Sequence, residues 1–547
     1  MNNPKAVTAA SAMSKKINQA NIDRLRAAIA GTIVFDGFDD FECDIRHYDW
    51  ATGPSSRSWW WNLQQLPFLA WAIGTWPHAE KSLRDQVIHY NTSAVRNWRD
   101  RSSDDDDPSR LAWHDHAAAL RAYNIYNWVN FLELSGYRSD SYNDLVEIVE
   151  DHLQWLLQDT NYTRHTNHGF EQAWIVSEIA LAWPKLTLSH KAREIGLRRL
   201  RDEVRFGFTE QGVHKENSPG YQWFMLKRLR QVSEKMGHLG IDADTLGIDG
   251  ILRAGERYLE AVALLDGKLP LIGDTFRKDK QKSDVDHLRH QLGIDSGQLQ
   301  DEVFDYAESG YVILRRRPHG LYPGFHLVMK SGHYSDYHRH DDDLAVHLSY
   351  GETTLLGDSG GYGYDRHALE RRYVRSPYAH TSVFPQGTEV GIRKRKRLRK
   401  LPNLTWNREK RAAIGQTFQF AGLRLSRRVK YPRSGANYLK ITDKATSSVE
   451  RETQLVSNFV IPHPSNQVDR GFTPGRISIS GNGIDMSLRY DLERVGQVVE
   501  VIGLGSGIVD TAIVCPSLGV WQPCVRIELH WTAAPNKTTK HTMVIEF

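Results

Sequence analysis

The chain has 547 residues, 40% hydrophobic and 25% charged, which is the make-up of an ordinary folded protein long enough to bury a core without disulfide staples. Lys+Arg 70 against Asp+Glu 66 leaves a net charge of +4, too balanced for a protein whose main business is coating nucleic acid. Three cysteines, Cys43, Cys515 and Cys524, exclude a disulfide framework and a zinc ribbon, and no run of about 18 apolar residues exists to span a membrane.

The first thirty residues lack a long apolar stretch before a cleavage site. They read as a polar lead-in and an amphipathic helix, so the expected location is cytoplasmic, or periplasmic if a leader is missing from this chain. Helical periodicity follows. Leu145, Val149, Leu153 and Leu156 recur at steps of 4, 4 and 3, and Ile195 to Val204, Tyr221 to Val232 and Leu252 to Leu265 repeat the style. Breakers such as Pro108, Gly136, Pro184 and Gly212 separate them, which suggests helical hairpins in a closed or curved array.

Near residue 300 the pattern changes. Tyr311 to Leu314, Phe325 to Met329 and Leu344 to Leu348 are short and rich in β-formers, as are Arg476 to Ser480, Val498 to Ile502 and His541 to Ile545. Strands without intervening helices imply an antiparallel sandwich. The expected domains are 1–300, helical, and 301–547, a β-sandwich.

Four stretches carry polar residues that a core would not want. Asn167-His168-Gly169-Phe170-Glu171-Gln172 precedes an apolar run, and its ordinary use is capping a helix, with Asn167 near the cap and Glu171 in the first turn. His214 to Tyr221 contains Ser218-Pro219, a helix-start signal that places Tyr221 in the first turn. In Tyr334 to Asp343, an extended chain would put His338 and His340 on one face, a metal-ligand or acid–base arrangement. Asp358 ends an apolar strand. With His340 and His380 it would complete a two-histidine, one-carboxylate set suited to zinc.

In order along the chain, Tyr48-Asp49-Trp50, the Asn167-His168 pair, Glu216-Asn217-Ser218-Pro219-x-Tyr221, Ile272-Gly273-Asp274, His338-x-His340, Leu356-x-Asp358-Ser359-Gly360 and Ala379-His380-Thr381 resemble the motifs of the heparinase II/III-like polysaccharide lyases. That resemblance implies a multidomain α and β fold: an N-terminal (α/α) toroid followed by a C-terminal antiparallel β-sandwich. It implies that Asn167 and His168 neutralise a uronate carboxylate, that Tyr221 and His338 carry proton transfers, and that His340, Asp358 and His380 hold a zinc ion, structural in role. Three aspartates follow His340, and Thr-Ser follows His380, where the family has other residues.

The activity implied is β-elimination in a 4-linked uronic-acid-containing glycan. The partner is then an acidic polysaccharide or oligosaccharide, with neither nucleic acid nor membrane. Glu171, Trp60, Trp113, Arg371 and Arg375 are the expected substrate contacts, the tryptophans as sugar platforms and the arginines as carboxylate partners. Trp59, Trp61 and Trp223 are further platform candidates, and the basic run Arg393 to Lys400 is either a polyanion patch or a solvated sheet edge. A uronyl C5-epimerase and a non-catalytic polysaccharide-binding protein are the competing readings.

Overall fold

The computed structural model of the chain describes residues 19–547 apart from 51, 55, 104–109, 138–141, 295–300, 364, 389–402 and 431–436. The change from helix to strand falls between the helix Asp279–Gln291 and the strand Glu302–Tyr306. Two compact units follow a different division: 1–207 with 229–250, and 208–228 with 251–547. No helix among the described residues is long and apolar enough to cross a membrane.

The first unit is built on helices. Tyr142–Leu156 buries Leu145, Ile148, Val149, Leu153 and Leu156, the stripe expected from the sequence. The helix Asp115–Leu134 packs against Tyr142–Leu156 and Asn167–Ala182, and the latter packs against Ser189–Gly207. Fully buried Arg121 ties loops to this core. Its Nε donates to His152 Nε2 at 2.8 Å, and its Nη atoms donate to the carbonyls of Gln64 and Ala112, each at 2.7 Å.

The second unit is antiparallel β-structure. One sheet runs in chain order through Glu302–Tyr306, Tyr311–Arg316, Phe325–Lys330, Ala345–Tyr350 and Thr353–Leu356. An eight-stranded sheet, a four-stranded sheet and the two-stranded pair Ile513–Ser517 and Val520–Pro523 accompany it. Tyr438–Ser447 alternates exposed and buried residues, as a strand with one covered face must. One apolar core joins the three sheets through Val312, Leu327, Leu425, Ile441, Phe459 and Ile527. The opposite face of the five-stranded sheet explains the unit division. There Ile313 and Val328 pack on Tyr258 and Val262, so the helix Ile248–Val262 from Ile251 onward and the segment after it travel with the strands.

Candidate active site

In the first unit, the helix Asn167–Ala182 is capped by Thr166, whose hydroxyl accepts from Gly169 N; Asn167 stands next to the cap, as the first helical residue. Asn167 Oδ1 accepts from His168 N at 3.1 Å, which leaves the Nδ2 end of the amide as its donor. His168 Nδ1 lies 3.2 Å from Asp115 Oδ2, and the His168 ring stacks on His116 with centroids 4.3 Å apart. Asp115 Oδ1 lies 3.0 Å from His114 Nδ1. Burial alone would raise the Asp115 carboxyl, but its contacts with His114, His168 and Thr163 hold it well below the usual carboxylate range.

Two expected substrate contacts of this unit are packed elsewhere. Glu171 is buried and accepts from Trp174 Nε1 at 2.6 Å; it is the fifth residue of the helix, past the first turn where its sequence suggested it would stand. Trp60 is 5% exposed, donates Nε1 to Pro54 O at 3.0 Å and meets Trp59 edge-on, so it is a core residue and no open platform. Trp59 is fully buried as well. Trp113 keeps a half-buried ring beside Trp155, centroids 5.3 Å apart, on the wall of a cavity of about 310 Å³.

The second unit gathers Tyr221, His338, Asp274 and Glu216. Pro219 opens the helix Pro219–His238, and Ser218 Oγ and Gly220 N both bond Thr275 Oγ1, at 3.0 and 3.1 Å. The turn 272–275 is thereby fastened to the start of that helix. Tyr221, in the first turn, stacks on the His338 ring with centroids 3.9 Å apart. His338 Nδ1 lies 2.9 Å from Asp274 Oδ2, and its Nε2 lies 3.5 Å from Glu216 Oε2.

Asp274 is the centre of this cluster. Its side chain is fully buried; it accepts from His340 Nε2 at 2.9 Å, and both Nη atoms of Arg371 bond to it. Burial opposes its charge, yet the bonds from His338 and His340 outweigh burial and hold the carboxyl well below its ordinary value. Arg371 is therefore spent on Asp274 inside the protein and does not present its guanidinium as an open carboxylate partner. Arg375 is half-buried and donates Nε to Arg339 O at 3.2 Å, on the loop that carries the histidines.

That loop is not extended. His338 has φ +51°, and residues 335–343 contain no strand, so period-2 alternation does not apply. The two imidazoles converge because both reach Asp274, and Asn217 Nδ2 holds the loop by donating to the carbonyls of Ser335 and Tyr337, each at 3.0 Å. The aspartates after His340 have separate uses. Asp341 N donates to Arg375 O, Asp342 pairs with buried Lys330 at 2.6 Å, and Asp343 accepts from Gly332 N and Thr417 Oγ1.

Behind the loop, His340, Asp358 and His380 are all buried, with His340 and His380 rings 5.4 Å apart and His380 Nδ1 3.1 Å from Asp358 Oδ2. His340 Nδ1, both His380 ring nitrogens and both Asp358 carboxylate oxygens lack hydrogen-bond partners. Five orphaned donor atoms on three buried side chains fit a metal ion in chemistry. Their ligand atoms are not all within 4.8 Å of one another; among the described residues that spacing occurs at His114, Asp115 and His168.

Sequence reading assigned no role to Asp115, Glu216 or Asp274. The last two lie in quoted motifs, and Asp115 sits between two histidines in His114-Asp115-His116, which is the only local sign of it. Trp223 is buried, with Nε1 donating to Asp284 at 3.0 Å, and Trp61 lies against His116. The basic run Arg393 to Lys400 lies outside the described residues.

Family models match both parts of the chain: heparinase II/III N-terminus over residues 3–254 and heparinase II/III-like, C-terminal, over residues 299–538. Among solved structures, one described as heparinase III is similar with a TM-score of 0.76 at 13% identity, over 97% of this chain and 85% of that one. Heparan sulfate lyase HepC from Pedobacter heparinus is similar with a TM-score of 0.70 at 13% identity, over 98% of this chain and 84% of that one. No curated protein matches in sequence. The fold is the (α/α) toroid and antiparallel β-sandwich that the sequence implied. The chain belongs to the heparinase II/III-like family.

Proposed function

We infer that this member of a polysaccharide lyase family cleaves a 4-linked uronic-acid-containing glycan by β-elimination. The carrying observation is the Tyr221–His338 pair, stacked at 3.9 Å within one unit and backed by buried Asp274. The C5 proton of a uronate is only slightly acidic. Removing it requires neutralisation of the adjacent carboxylate, a base for the proton and an acid for the departing O4. Asn167, through Nδ2, and His168 would donate to that carboxylate, in bonds that strengthen as enolate charge develops. Tyr221 and His338 would carry the two proton transfers. The ionised Asp274 carboxylate fixes the His338 tautomer with hydrogen on Nδ1, which makes Nε2 its exchanging atom. The Tyr221 hydroxyl suits protonation of O4.

His340, Asp358 and His380 would hold zinc. When bound, the ion would neutralise the buried Asp358 charge and cross-link the His338 loop to the segments behind it. His340 would bridge this centre and the reacting pair, since its Nε2 shares Asp274 with His338.

The deciding experiment offers heparan sulfate, hyaluronan, chondroitin, alginate and bacterial glycuronans and follows the absorbance of an unsaturated product. One of these uronates is expected to give it. Proton exchange at C5 without chain cleavage would replace this reading with epimerisation.

A further inference from the structure

We propose that the first unit holds a site for a divalent transition-metal ion such as zinc, formed by His114, Asp115 and His168. It goes beyond the lyase reading and does not depend on it. One ligand atom from each of these three half-buried side chains lies within 4.8 Å of the other two. The Asp115 carboxylate sits between the imidazoles, Oδ1 3.0 Å from His114 Nδ1 and Oδ2 3.2 Å from His168 Nδ1. Two donors each about 2.1 Å from one ion stand about 3.0–3.4 Å apart, for octahedral or tetrahedral angles respectively.

Alignment sets the His114–Asp115 approach apart from a hydrogen bond, whereas His168 Nδ1 and Asp115 Oδ2 are hydrogen-bonded at 3.2 Å. His114 Nδ1 is buried and has no hydrogen-bond partner, despite its 3.0 Å approach to the carboxylate. Atoms that close but not aimed at one another stand as two ligands of a single ion do. The surroundings fix them. The Thr163 hydroxyl donates to Asp115 Oδ2, His116 N donates to Oδ1 at 2.7 Å, and the His116 ring covers that of His168. Asp115 and His168 both stand in the first turns of helices, which gives the ligands rigid backbones. Two imidazoles and one carboxylate select zinc or cobalt over magnesium or calcium, and leave a fourth position open.

The test measures metal content, not turnover, so its failure is separate from failure of the lyase reading. Full-length protein stripped with chelator is titrated with Zn²⁺ by equilibrium dialysis and with Co²⁺ by visible absorption. His340→Ala, which removes the other centre, should still bind one equivalent and show cobalt bands of a nitrogen and oxygen ligand set. His114→Ala and the isosteric Asp115→Asn should each bind one equivalent fewer than the parent. Equal stoichiometry in parent, His114→Ala and Asp115→Asn, or an unaltered cobalt spectrum in them, overturns the proposal. If a substitution impairs folding, the parent and His340→Ala titrations decide alone: no ion bound by His340→Ala refutes the site.

Discussion

Asp274 Oδ2 accepts from His338 Nδ1 at 2.9 Å while Asp274 Oδ1 accepts from His340 Nε2 at the same distance, so one buried carboxylate serves both histidines of the His-x-His loop. Arg371 closes on the same carboxylate. Asp274→Asn keeps the shape but removes the charge. It removes the charge that Asp274 sets against the buried Arg371 guanidinium, a change that costs about 3–5 kcal/mol in comparable buried pairs. Denaturant unfolding should show that loss, and kcat should fall by a factor of about 100 or more as the His338 tautomer is released. The double variant Asp274→Asn/Arg371→Met should recover part of the stability, without the activity.

Tyr221→Phe removes one hydroxyl and keeps the ring that stacks on His338. Stability should change by no more than about 0.5 kcal/mol. Turnover should fall by about 100- to 10,000-fold, the range for loss of a positioned proton donor. Retained activity in a folded Tyr221→Phe protein removes this residue from the mechanism.

The orphaned atoms of His340, Asp358 and His380 carry a prediction of their own. Elemental analysis should find zinc in the purified protein, and His340→Ala should carry one equivalent less. Because the ion binds the folded chain and not the unfolded one, its removal should lower the melting temperature of the parent more than that of His340→Ala. A fully active preparation free of metal would end this assignment.

Much of the architecture was legible because it is periodic. The Leu145 to Leu156 stripe and the alternation in the strands are local properties, readable without knowing what they pack against. The site was legible as motifs but not as contacts. The partners of Asp274 lie 64, 66 and 97 residues away, a pairing that no local pattern encodes. The place of Arg371 turns on the same long-range contact, whereas Glu171 and Trp60 are bonded locally, to Trp174 and Pro54, three and six residues away. A guanidinium beside a site motif, or a tryptophan near it, has the same sequence signature whether it faces a sugar or a neighbouring side chain. Leu344 illustrates the limit at an element boundary: its φ of +64° excludes it from the strand that its apolar side chain suggested, and the strand begins at Ala345.

Glu203 gives the first unit a pH dependence. It is buried beside the turn that leads into Asn167 and His168, and accepts from the Tyr162 hydroxyl and from His165 N at 2.8 Å. Burial pushes its carboxyl up from 4.5 to about 7, although those two bonds favour the charged form. A carboxyl raised in the folded state binds its proton more tightly there than in the unfolded chain. Its stabilising contribution is therefore complete below about pH 4.5, declines as pH rises, and is gone above about pH 7, an amount of about 3 kcal/mol. Asp115 and Asp202, which are both lowered, act in the opposite sense and below this window, so they do not mask it. Buried His152, His214, His326 and His347, all held below their ordinary value, act in the opposite sense within this window, so the Glu203 contribution is read as the difference between parent and Glu203→Gln in urea unfolding at stepped pH between 4.5 and 7. Glu203→Gln, neutral throughout and still able to accept from Tyr162, should lack the decline and so show a slope more positive with pH than the parent. An identical slope in both proteins would show that Glu203 ionises normally in the folded chain.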